Sequence, residues 1–577
     1  MNQIKIVQRP QPDASLPVFT QANPVLARIY ASRGIHDLNG LGRSLSELLP
    51  DSGLSGLDQA VRRLVQALEN REKIIIVGDF DCDGATSTAV AVLALRMMGV
   101  SEVDYLVPNR FEFGYGLSPE IVVEALKLSP DLLITVDNGI SSVDGVAAAK
   151  LANLDVIVTD HHLAGDQLPE ACAIVNPNQP ECKFAAKSTC GVGVIFYVMI
   201  ALRRALQDRG WFDQQGIQQP NLANLLDLVA LGTVADVVPL EQNNRILVHQ
   251  GLQRIKAGFC RPGLKALIEY SGRQQHKITS ADLGFAIAPR LNAAGRLEDM
   301  SIGIECLLTE SEQKAKELAS TLNELNQERK GIEQEMQQQA LDLLNSIQLD
   351  TDVLPFGLSL YEPEWHQGVI GILASRIKDR VHRPVIAFAQ GDEGELKGSA
   401  RSIPGFHVRD GLDAIAAKHP QLLRKFGGHA MAAGLTIAEH DLELFKQAFA
   451  AEVGNQISEA DLQREVLTDG SLSAADMNLE LADLLRDSGP WGHQFPEPLF
   501  EGEFALLQQR VVGQRHLKMV LMEAESGLAL DAIAFNADMD TWPDESITRV
   551  RVLYRLDVNE FRGKKSVQLL VQHLFAV

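Results

Sequence analysis

The sequence predicts an α/β protein of several domains, with a parallel sheet in its first half and a small β-barrel at its end. Helix and strand patterns alternate between about residues 51 and 300, which is typical of a parallel sheet with helices on both faces. After about residue 465 the pattern changes to short alternating strands, which favours a barrel. A chain of 577 residues is also too long for a single hydrophobic core.

The chain divides on these patterns into five predicted regions. They are an N-terminal helical cap over 1–50, a first α/β domain over 51–305, a long connecting helix over 306–350, a second and smaller α/β domain over 351–455, and an OB-like barrel over 456–577. The connecting stretch has leucines on one face, so we interpret it as an amphipathic connector between domains. A coiled-coil dimer seam is the alternative interpretation.

The elements follow in order from the hydrophobic pattern. The first domain is predicted to contain helices over Val61–Leu68, Thr86–Met98, Pro119–Lys127, Gly191–Leu206 and Asn221–Leu231, and strands over 73–77, 103–107, 132–136 and 155–159. The second domain is predicted to contain strands over 357–361 and 385–389 and a helix over 369–380. The barrel strands are predicted over 503–507, 511–512, 518–523, 529–535, 548–556 and 565–574.

Composition limits the classes of function. The net charge of −22 and the isoelectric point near 5.1 count against a broad basic surface, so any nucleic-acid contact is expected on local basic patches, including those of the barrel. The six cysteines form no C-x-x-C pair, which favours reduced thiols and a cytoplasmic location. Neither a secretory signal nor a membrane span is expected.

Three apolar segments of the first domain each end at acidic residues. Residues 73–77 lead into Asp79, Asp81 and Asp83, residues 131–136 lead into Asp137, and residues 155–159 lead into Asp160. The carboxyl ends of parallel strands converge on one crevice, where anions would repel each other unless they were protonated or bound to cations. One D-x-D alone could equally be a solvated turn, but the combination predicts a dinuclear metal site.

The ligand types favour a particular metal and reaction. Carboxylate oxygens with an imidazole suit Mn²⁺ or Mg²⁺ better than Zn²⁺. Two such ions close together can activate a water and stabilise an in-line phosphoryl displacement. The sequence therefore predicts hydrolysis of a phosphoester or phosphoanhydride.

Several motifs resemble those of one superfamily. Four motifs resemble those of the DHH phosphoesterases. They are the Asp-x-Asp pattern within residues 79–83, Asp137-Asn138-Gly139, Asp160-His161-His162 and Gly232-Thr233-Val234-Ala235-Asp236. Residues 427–434 (GGHAMAAG) resemble the DHH-associated domain. Three further motifs and the barrel narrow the resemblance to the RecJ family, which comprises single-stranded-DNA-specific 5′→3′ exonucleases. The motifs are Pro108-Asn109-Arg110, residues 289–296 (PRLNAAGR) and residues 398–401 (GSAR). The resemblance covers roughly residues 50–577.

This resemblance implies roles for individual residues. The implied metal ligands are Asp79, Asp81, Asp83, Asp137, His161 and Asp236, with Asp137 bridging two ions and Asp79 either a ligand or an acid behind the ligands. The implied catalytic residues are His162, His429 and Asp160, the last of which could instead be an additional ligand. The implied 5′-phosphate and DNA contacts are Arg110, Ser399, Arg401, Arg290, Arg296 and Tyr115.

One position departs from the superfamily pattern. Pyrophosphatase members carry a histidine four residues before the first aspartate of the Asp81–Asp83 pair, and this chain has Val77 there. Valine cannot coordinate a metal, so the first ion would need Asp79 or water instead.

The resemblance thus implies a Mn²⁺- or Mg²⁺-dependent exonuclease with a two-metal-ion mechanism. It would degrade single-stranded DNA from the 5′ end to 5′-mononucleotides in DNA repair and recombination. We expect a monomer that cooperates with single-strand-binding protein. A phosphoesterase for small substrates such as pyrophosphate or short oligonucleotides is the second hypothesis, and a non-catalytic scaffold that binds nucleic acid is the third.

Overall fold

The structure is a computed structural model that describes residues 4–10, 23–35, 37, 39–108, 116–351, 354–392, 394–513, 515–539 and 541–577. The chain forms two compact units. One comprises residues 8–323 and 467–577, and the other comprises Met1–Val7 and Glu324–Val466.

The N-terminal segment does more than cap the first α/β domain. It contains strand β1 (Lys5–Gln8) and helix α1 (Pro24–Ala31), which begins with the side chain of Asn23 accepting hydrogen bonds from the first turn. The Tyr30 hydroxyl donates to the carbonyl of Ser488 at 2.8 Å, whereas the Leu49 N–H donates to Asn243 Oδ1 at 3.1 Å. The segment therefore joins the first α/β domain to residues near the barrel.

The predicted parallel sheet is confirmed. Its five strands run in the order β3-β2-β4-β5-β6, and every pair is parallel. The elements up to this point are α2 (Leu57–Asn70), β2 (Ile74–Val77), α3 (Cys82–Met97), β3 (Val103–Leu106), α4 (Pro119–Leu126), β4 (Leu132–Val136), α5 (Val143–Leu151), β5 (Asp155–Thr159) and β6 (Ala173–Val175). Strands β2 and β4 are buried along their whole length, because helices cover both faces of the sheet.

A helical layer follows the sheet. It consists of α6 (Gly191–Asp208), α7 (Trp211–Gln215), α8 (Leu226–Ala235), α9 (Gln242–Lys256), α10 (Pro262–Tyr270), α11 (Ser280–Asp282), α12 (Ala288–Leu297) and α13 (Ser301–Leu308). A π-helical turn over Leu283–Ile287 separates α11 from α12. Helix α3 packs against α6 and α8 and is buried on nearly every side, so its apolar residues form the centre of the unit.

The long helix α14 (Glu312–Thr351) leads into the second unit. The remaining elements there are β7 (Leu358–Tyr361), α15 (Ile370–Val381), β8 (Val385–Gln390), β9 (Glu395–Arg401), α16 (Val408–Lys418), β10 (Lys425–Gly428), β11 (Ala432–Ala438), α17 (Leu442–Gln456) and β12 (Glu465–Thr468). The sheet order is β10-β11-β9-β8-β7. Only the β7–β8 pair is parallel, and the other pairs are antiparallel.

The C-terminal residues form the predicted barrel. After α18 (Leu479–Asp487) come β13 (Phe500–Val512), β14 (His516–Met522), β15 (Ala529–Ala534), β16 (Arg549–Phe561) and β17 (Lys564–Ala576). They close in the order β13-β14-β15-β17-β16 around a core that includes Phe500, Phe504 and Tyr554. The two short strands predicted over 503–507 and 511–512 are a single strand, β13. Among the described helices, none is both long and apolar enough to cross a membrane.

Candidate metal centre

The acidic residues at the strand ends meet at one edge of the parallel sheet. Strands β2, β4 and β5 are direct neighbours, so the segments that follow them lie side by side. Asp79, Asp137 and Asp160 are all buried there. The sheet topology therefore brings together the acids that the sequence placed after three separate strands.

The loop after β2 turns directly into α3. Asp81 is the N-cap residue of this helix, and its Oδ1 accepts hydrogen bonds from the N–H groups of Asp83 and Gly84 at 2.9 and 3.0 Å. Asp83 lies in the first turn and accepts hydrogen bonds from the N–H groups of Gly191 and Val192 at 2.7 and 2.9 Å. The N-terminus of α6 thus anchors Asp83, which the sequence alone did not indicate.

Asp137 turns the chain sharply after β4. Its φ of +61° lies in the left-handed region, which aspartate tolerates better than most residues. The side chain of Asn138 donates to the carbonyls of Val77 and Val136 at 3.1 and 2.9 Å and so links the ends of β2 and β4. A Cβ at Gly191 would come within 2.7 Å of the Asp137 side chain, so only glycine leaves room for it.

Asp160 holds its two histidine neighbours in place. Its Oδ1 accepts hydrogen bonds from the N–H groups of His161 and His162 at 2.7 and 3.1 Å and lies 2.7 Å from His162 Nδ1. Its Oδ2 accepts from the N–H of Ile140 at 2.9 Å. Both oxygens are therefore engaged, which favours a positioning role for Asp160 over direct coordination.

All six predicted metal ligands come together. His161 Nε2 lies 3.1 Å from Asp137 Oδ1 and 3.4 Å from Asp236 Oδ2. Two sets of three have potential ligand atoms within 4.8 Å of one another, namely Asp79 with Asp81 and Asp137, and Asp83 with His161 and Asp236. Asp137 and His161 link the two sets, because both also belong to a third set with His162. Val77 packs in the hydrophobic core instead.

The crowding perturbs the ionisation of these carboxyl groups. Burial and the neighbouring carboxylates raise the pKa of Asp137 and of Asp236 well above the usual range, and they raise the pKa of Asp83 to about 7. Divalent cations would favour the ionised carboxylates and remove this repulsion. A set of five carboxylates and one imidazole is an oxygen-rich donor set, which fits Mn²⁺ or Mg²⁺.

The motif over residues 289–296 has mainly structural contacts. Arg290 donates to Asn323 Oδ1 at 3.1 Å, to the carbonyl of Tyr270 at 3.2 Å and to the carbonyl of Ala286. Arg296 lies near the end of α12 and is half-buried. Asn292, to which we assigned no role from the sequence, accepts a hydrogen bond from the N–H of Cys82 at 2.7 Å. DNA binding by the two arginines stays a prediction.

Ser399 and Arg401 lie together in the second unit. Arg401 Nη1 donates to Ser399 Oγ at 3.1 Å and to the carbonyl of Ala400 at 2.7 Å. Burial lowers the pKa of Arg401, and no carboxylate among the described residues forms an ion pair with it. Gly371, in the first turn of α15, faces both side chains. A half-buried guanidinium beside a hydroxyl is suited to binding an anion.

The other predicted site residues are only partly described. His429 is exposed in the turn between β10 and β11, where its N–H donates to the carbonyl of Ala432 at 2.8 Å. Its neighbour Gly428 has a φ of +141°, which a residue with a Cβ rarely adopts. Arg110 and Tyr115 lie outside the described residues.

Several of the basic residues of the barrel are paired. Arg549, Arg551 and Arg555 contact Glu503, Glu501 and Glu497 at 3.3, 2.6 and 2.5 Å. The Arg549 pair is exposed and the other two pairs are half-buried, so all three are accessible to solvent, and accessible ion pairs contribute little to stability. These three arginines are therefore more typical of a solvated surface than of a preformed binding site for the phosphates of a DNA strand.

Comparison with known protein families matches three parts of the chain. Residues 73–233 match the DHH family N-terminal domain, residues 354–455 match the DHHA1 domain, and residues 468–573 match the RecJ OB domain. The order of the three is the order predicted for the first α/β domain, the second α/β domain and the barrel.

Relatives and solved structures agree with these matches. The chain is 55% identical to the single-stranded-DNA-specific exonuclease RecJ of Salmonella typhimurium, over 100% of both chains. It is 33% identical to the RecJ of Bacillus subtilis, over 98% of this chain and 70% of the other. RecJ from Thermus thermophilus in complex with Mn²⁺ superposes with a TM-score of 0.80 at 30% identity, covering 100% of this chain and 80% of that one. The chain therefore belongs to the RecJ family of the DHH superfamily.

Proposed function

We propose that the protein is a single-stranded-DNA-specific exonuclease. It hydrolyses phosphodiester bonds from the 5′ end and releases 5′-mononucleotides, with two Mn²⁺ or Mg²⁺ ions as cofactors. The observation that carries the proposal is the convergence of the six predicted ligands at one sheet edge in a chain that belongs to the RecJ family. Solved RecJ structures in complex with Mn²⁺ and with Mg²⁺ support the choice of ions.

The residues around the metal centre would have different roles. Asp79, Asp81 and Asp137 would hold one ion, and Asp83, His161 and Asp236 would hold the other, with Asp137 shared. The ions, when bound, would supply the positive charge that activates water and stabilises an in-line displacement at phosphorus. Asp160 holds His162 at Nδ1, and His162 Nε2 is the atom that we propose contacts the scissile phosphate or transfers a proton.

The second unit would recognise the 5′ end of the DNA strand. Arg401 and Ser399 supply a guanidinium and a hydroxyl without a competing carboxylate among the described residues, so we propose that they bind the 5′-terminal phosphate. His429 and Arg110 remain predictions of the family resemblance. A single-strand track on the barrel is part of the proposal, and it would use basic residues other than Arg549, Arg551 and Arg555.

The test uses 5′-phosphorylated oligonucleotides with Mn²⁺. We expect mononucleotides from the single strand, released from the 5′ end, and none from a blunt duplex of the same sequence. Turnover of pyrophosphate or dinucleotides without turnover of the oligonucleotide would favour a phosphoesterase for small substrates. Binding of the oligonucleotide without cleavage, in Mn²⁺ and in Mg²⁺, would favour a scaffold.

Replacing Asp81 with alanine tests the ligand assignment. Asp81→Ala removes one predicted ligand, so we expect cleavage to fall to background while the affinity for single-stranded DNA stays within about threefold of wild type, because phosphate contacts carry that affinity. Asp144→Ala is the matched control, since it removes an exposed acid from the first turn of α5. Normal turnover by Asp81→Ala would contradict the assignment.

Three further properties are part of the proposal and follow from the resemblance alone. They are a role in DNA repair and recombination, cooperation with single-strand-binding protein, and a monomeric state. Light scattering of the purified protein tests the last of these directly. Co-sedimentation with single-strand-binding protein tests the second.

A further inference from the structure

Helix α12 contacts the loop that carries the predicted metal ligands. Asn292 Oδ1 accepts a hydrogen bond from the N–H of Cys82 at 2.7 Å. One turn further along, a Cβ at Gly295 would lie only 1.8 Å from the carbonyl oxygen of Phe80. Residues three apart share a helix face, so one face of α12 holds the loop at two successive points.

The contact completes the cap of α3. The first N–H groups of a helix have no partner within the helix. Asp81 Oδ1 accepts from the N–H groups of Asp83 and Gly84, and Asn292 accepts from the N–H of Cys82. One of the two capping side chains thus comes from a helix 210 residues further along the chain.

The position of the Cys82 peptide group affects the positions of the predicted ligands on either side of it, Asp81 and Asp83. Asp81 precedes it and uses Oδ1 for the helix cap, whereas Asp83 follows it and is fixed by the N-terminus of α6. The Cys82 peptide group connects these two carboxylates. A shift of that peptide would therefore move Asp81 relative to Asp83.

A π-helical turn precedes α12 directly, over Leu283–Ile287. A π turn contains about one residue more than an α turn, which rotates the following helix by about 100° relative to an uninterrupted α-helix. Such turns are rare and occur frequently at functional sites. Here the turn determines which face of α12 meets the metal loop.

We propose that Asn292 is a positioning residue that holds Asp81 and Asp83 in the arrangement that binds the metal ions. The inference rests on the proposed function, because it requires that these carboxylates bind metal. Asn292 itself would contact neither the ions nor the DNA. Its effect would pass through the N–H of Cys82.

The test measures Mn²⁺ affinity by electron paramagnetic resonance on three variants of the full chain. For Asn292→Ala we expect the Mn²⁺ dissociation constant to rise about 10- to 100-fold, the range found when groups that orient metal ligands are removed. Asn292→Asp keeps an acceptor for the Cys82 N–H, so we expect it to bind Mn²⁺ at least as tightly as wild type. Asn243→Ala is the matched control, because Asn243 Oδ1 also accepts a backbone N–H in the same unit, that of Leu49.

Thermal unfolding in EDTA separates positioning from general destabilisation. We expect Asn292→Ala and Asn243→Ala to lower the melting temperature by similar amounts, while only Asn292→Ala weakens Mn²⁺ binding. Wild-type Mn²⁺ affinity in Asn292→Ala, or an equal loss of Mn²⁺ affinity in Asn243→Ala, would overturn this inference and leave the proposed function standing. Failure of the wild-type protein to bind Mn²⁺ or Mg²⁺ would overturn the proposed function together with it.

Discussion

Both carboxylate oxygens of Asp160 form hydrogen bonds with neighbouring groups of the protein. It accepts hydrogen bonds from three backbone N–H groups, those of Ile140, His161 and His162, and it contacts His162 Nδ1. Burial by itself would raise the pKa of Asp160, but the hydrogen bond and charge of His162, the N–H of Ile140 and the charge of His161 outweigh it and lower the pKa. The residue is therefore an ionised carboxylate that orients the histidine pair.

Replacing Asp160 with asparagine tests this orienting role. An amide can still accept from the backbone but carries no charge to hold His162, so we expect kcat/KM on single-stranded DNA to fall about 10- to 100-fold. Steady-state kinetics in saturating Mn²⁺ measure the effect. Asp155→Asn, at the exposed start of β5, the strand that precedes Asp160, should leave kcat/KM unchanged. Unaltered kinetics in Asp160→Asn would rule out the role.

The convergence of the acidic residues could be predicted from the sequence, but the groups that hold them in place could not. Asp79, Asp137 and Asp160 each follow an apolar strand, and parallel topology brings such positions together. The N-terminus of α6 and the side chain of Asn292 reach the same loop from distant parts of the chain, through helix packing that has no local pattern. The residues next to the ligands in the sequence therefore gave no sign of either contact.

The first turn of α15 shapes the predicted anion pocket. A Cβ at Gly371 would lie 2.9 Å from Arg401 Nη2 and 3.0 Å from Ser399 Oγ. Gly371→Ala should therefore displace both side chains, and we expect the preference for 5′-phosphorylated over 5′-hydroxyl ends to fall at least about threefold. Competition between the two substrates measures this preference.

A second glycine serves as the control for Gly371. A Cβ at Gly331, within α14, would have open space around it, with no neighbouring atom within 4 Å. Gly331→Ala should stabilise the helix by up to about 1 kcal/mol and leave the end preference unchanged. An unchanged end preference in Gly371→Ala as well would count against the pocket.

The barrel shows why a strand can be misread from its pattern. Strand β13 pairs with β14 in a register that shifts between Leu506 and Gln508, which marks a bulge. A bulge reverses which side chains face the core, so the alternation of apolar residues breaks within one strand. The hydrophobic pattern therefore indicated two short strands where the backbone forms one.

A buried ion pair joins two parts of one unit that are far apart in the sequence. Arg33 Nη1 lies 2.7 Å from Asp469 Oδ1, and each side chain is only 1% exposed. Asp469 Oδ2 also accepts a hydrogen bond from the N–H of Leu499 at 3.0 Å. This pair fixes the N-terminal segment to the residues that lead into the barrel.

Removing one partner of this pair should be costly. Asp469→Ala leaves a buried cation without its counterion, so we expect the free energy of unfolding to fall by about 3–5 kcal/mol. Urea denaturation followed by circular dichroism measures the loss. Glu124→Ala breaks the exposed pair with Lys127 and should cost less than about 1 kcal/mol. A similarly small loss in Asp469→Ala would show that the buried pair is dispensable.

The same ion pair has a consequence for biosynthesis. Its partners are 436 residues apart, so a ribosome that adds about 5–20 residues per second makes Asp469 roughly 20–90 s after Arg33. Throughout that interval the arginine and its short helix lack their final docking surface. The segment around Arg33 is thus made early and docks late, and the nascent polypeptide must keep it soluble and accessible until Asp469 has been made.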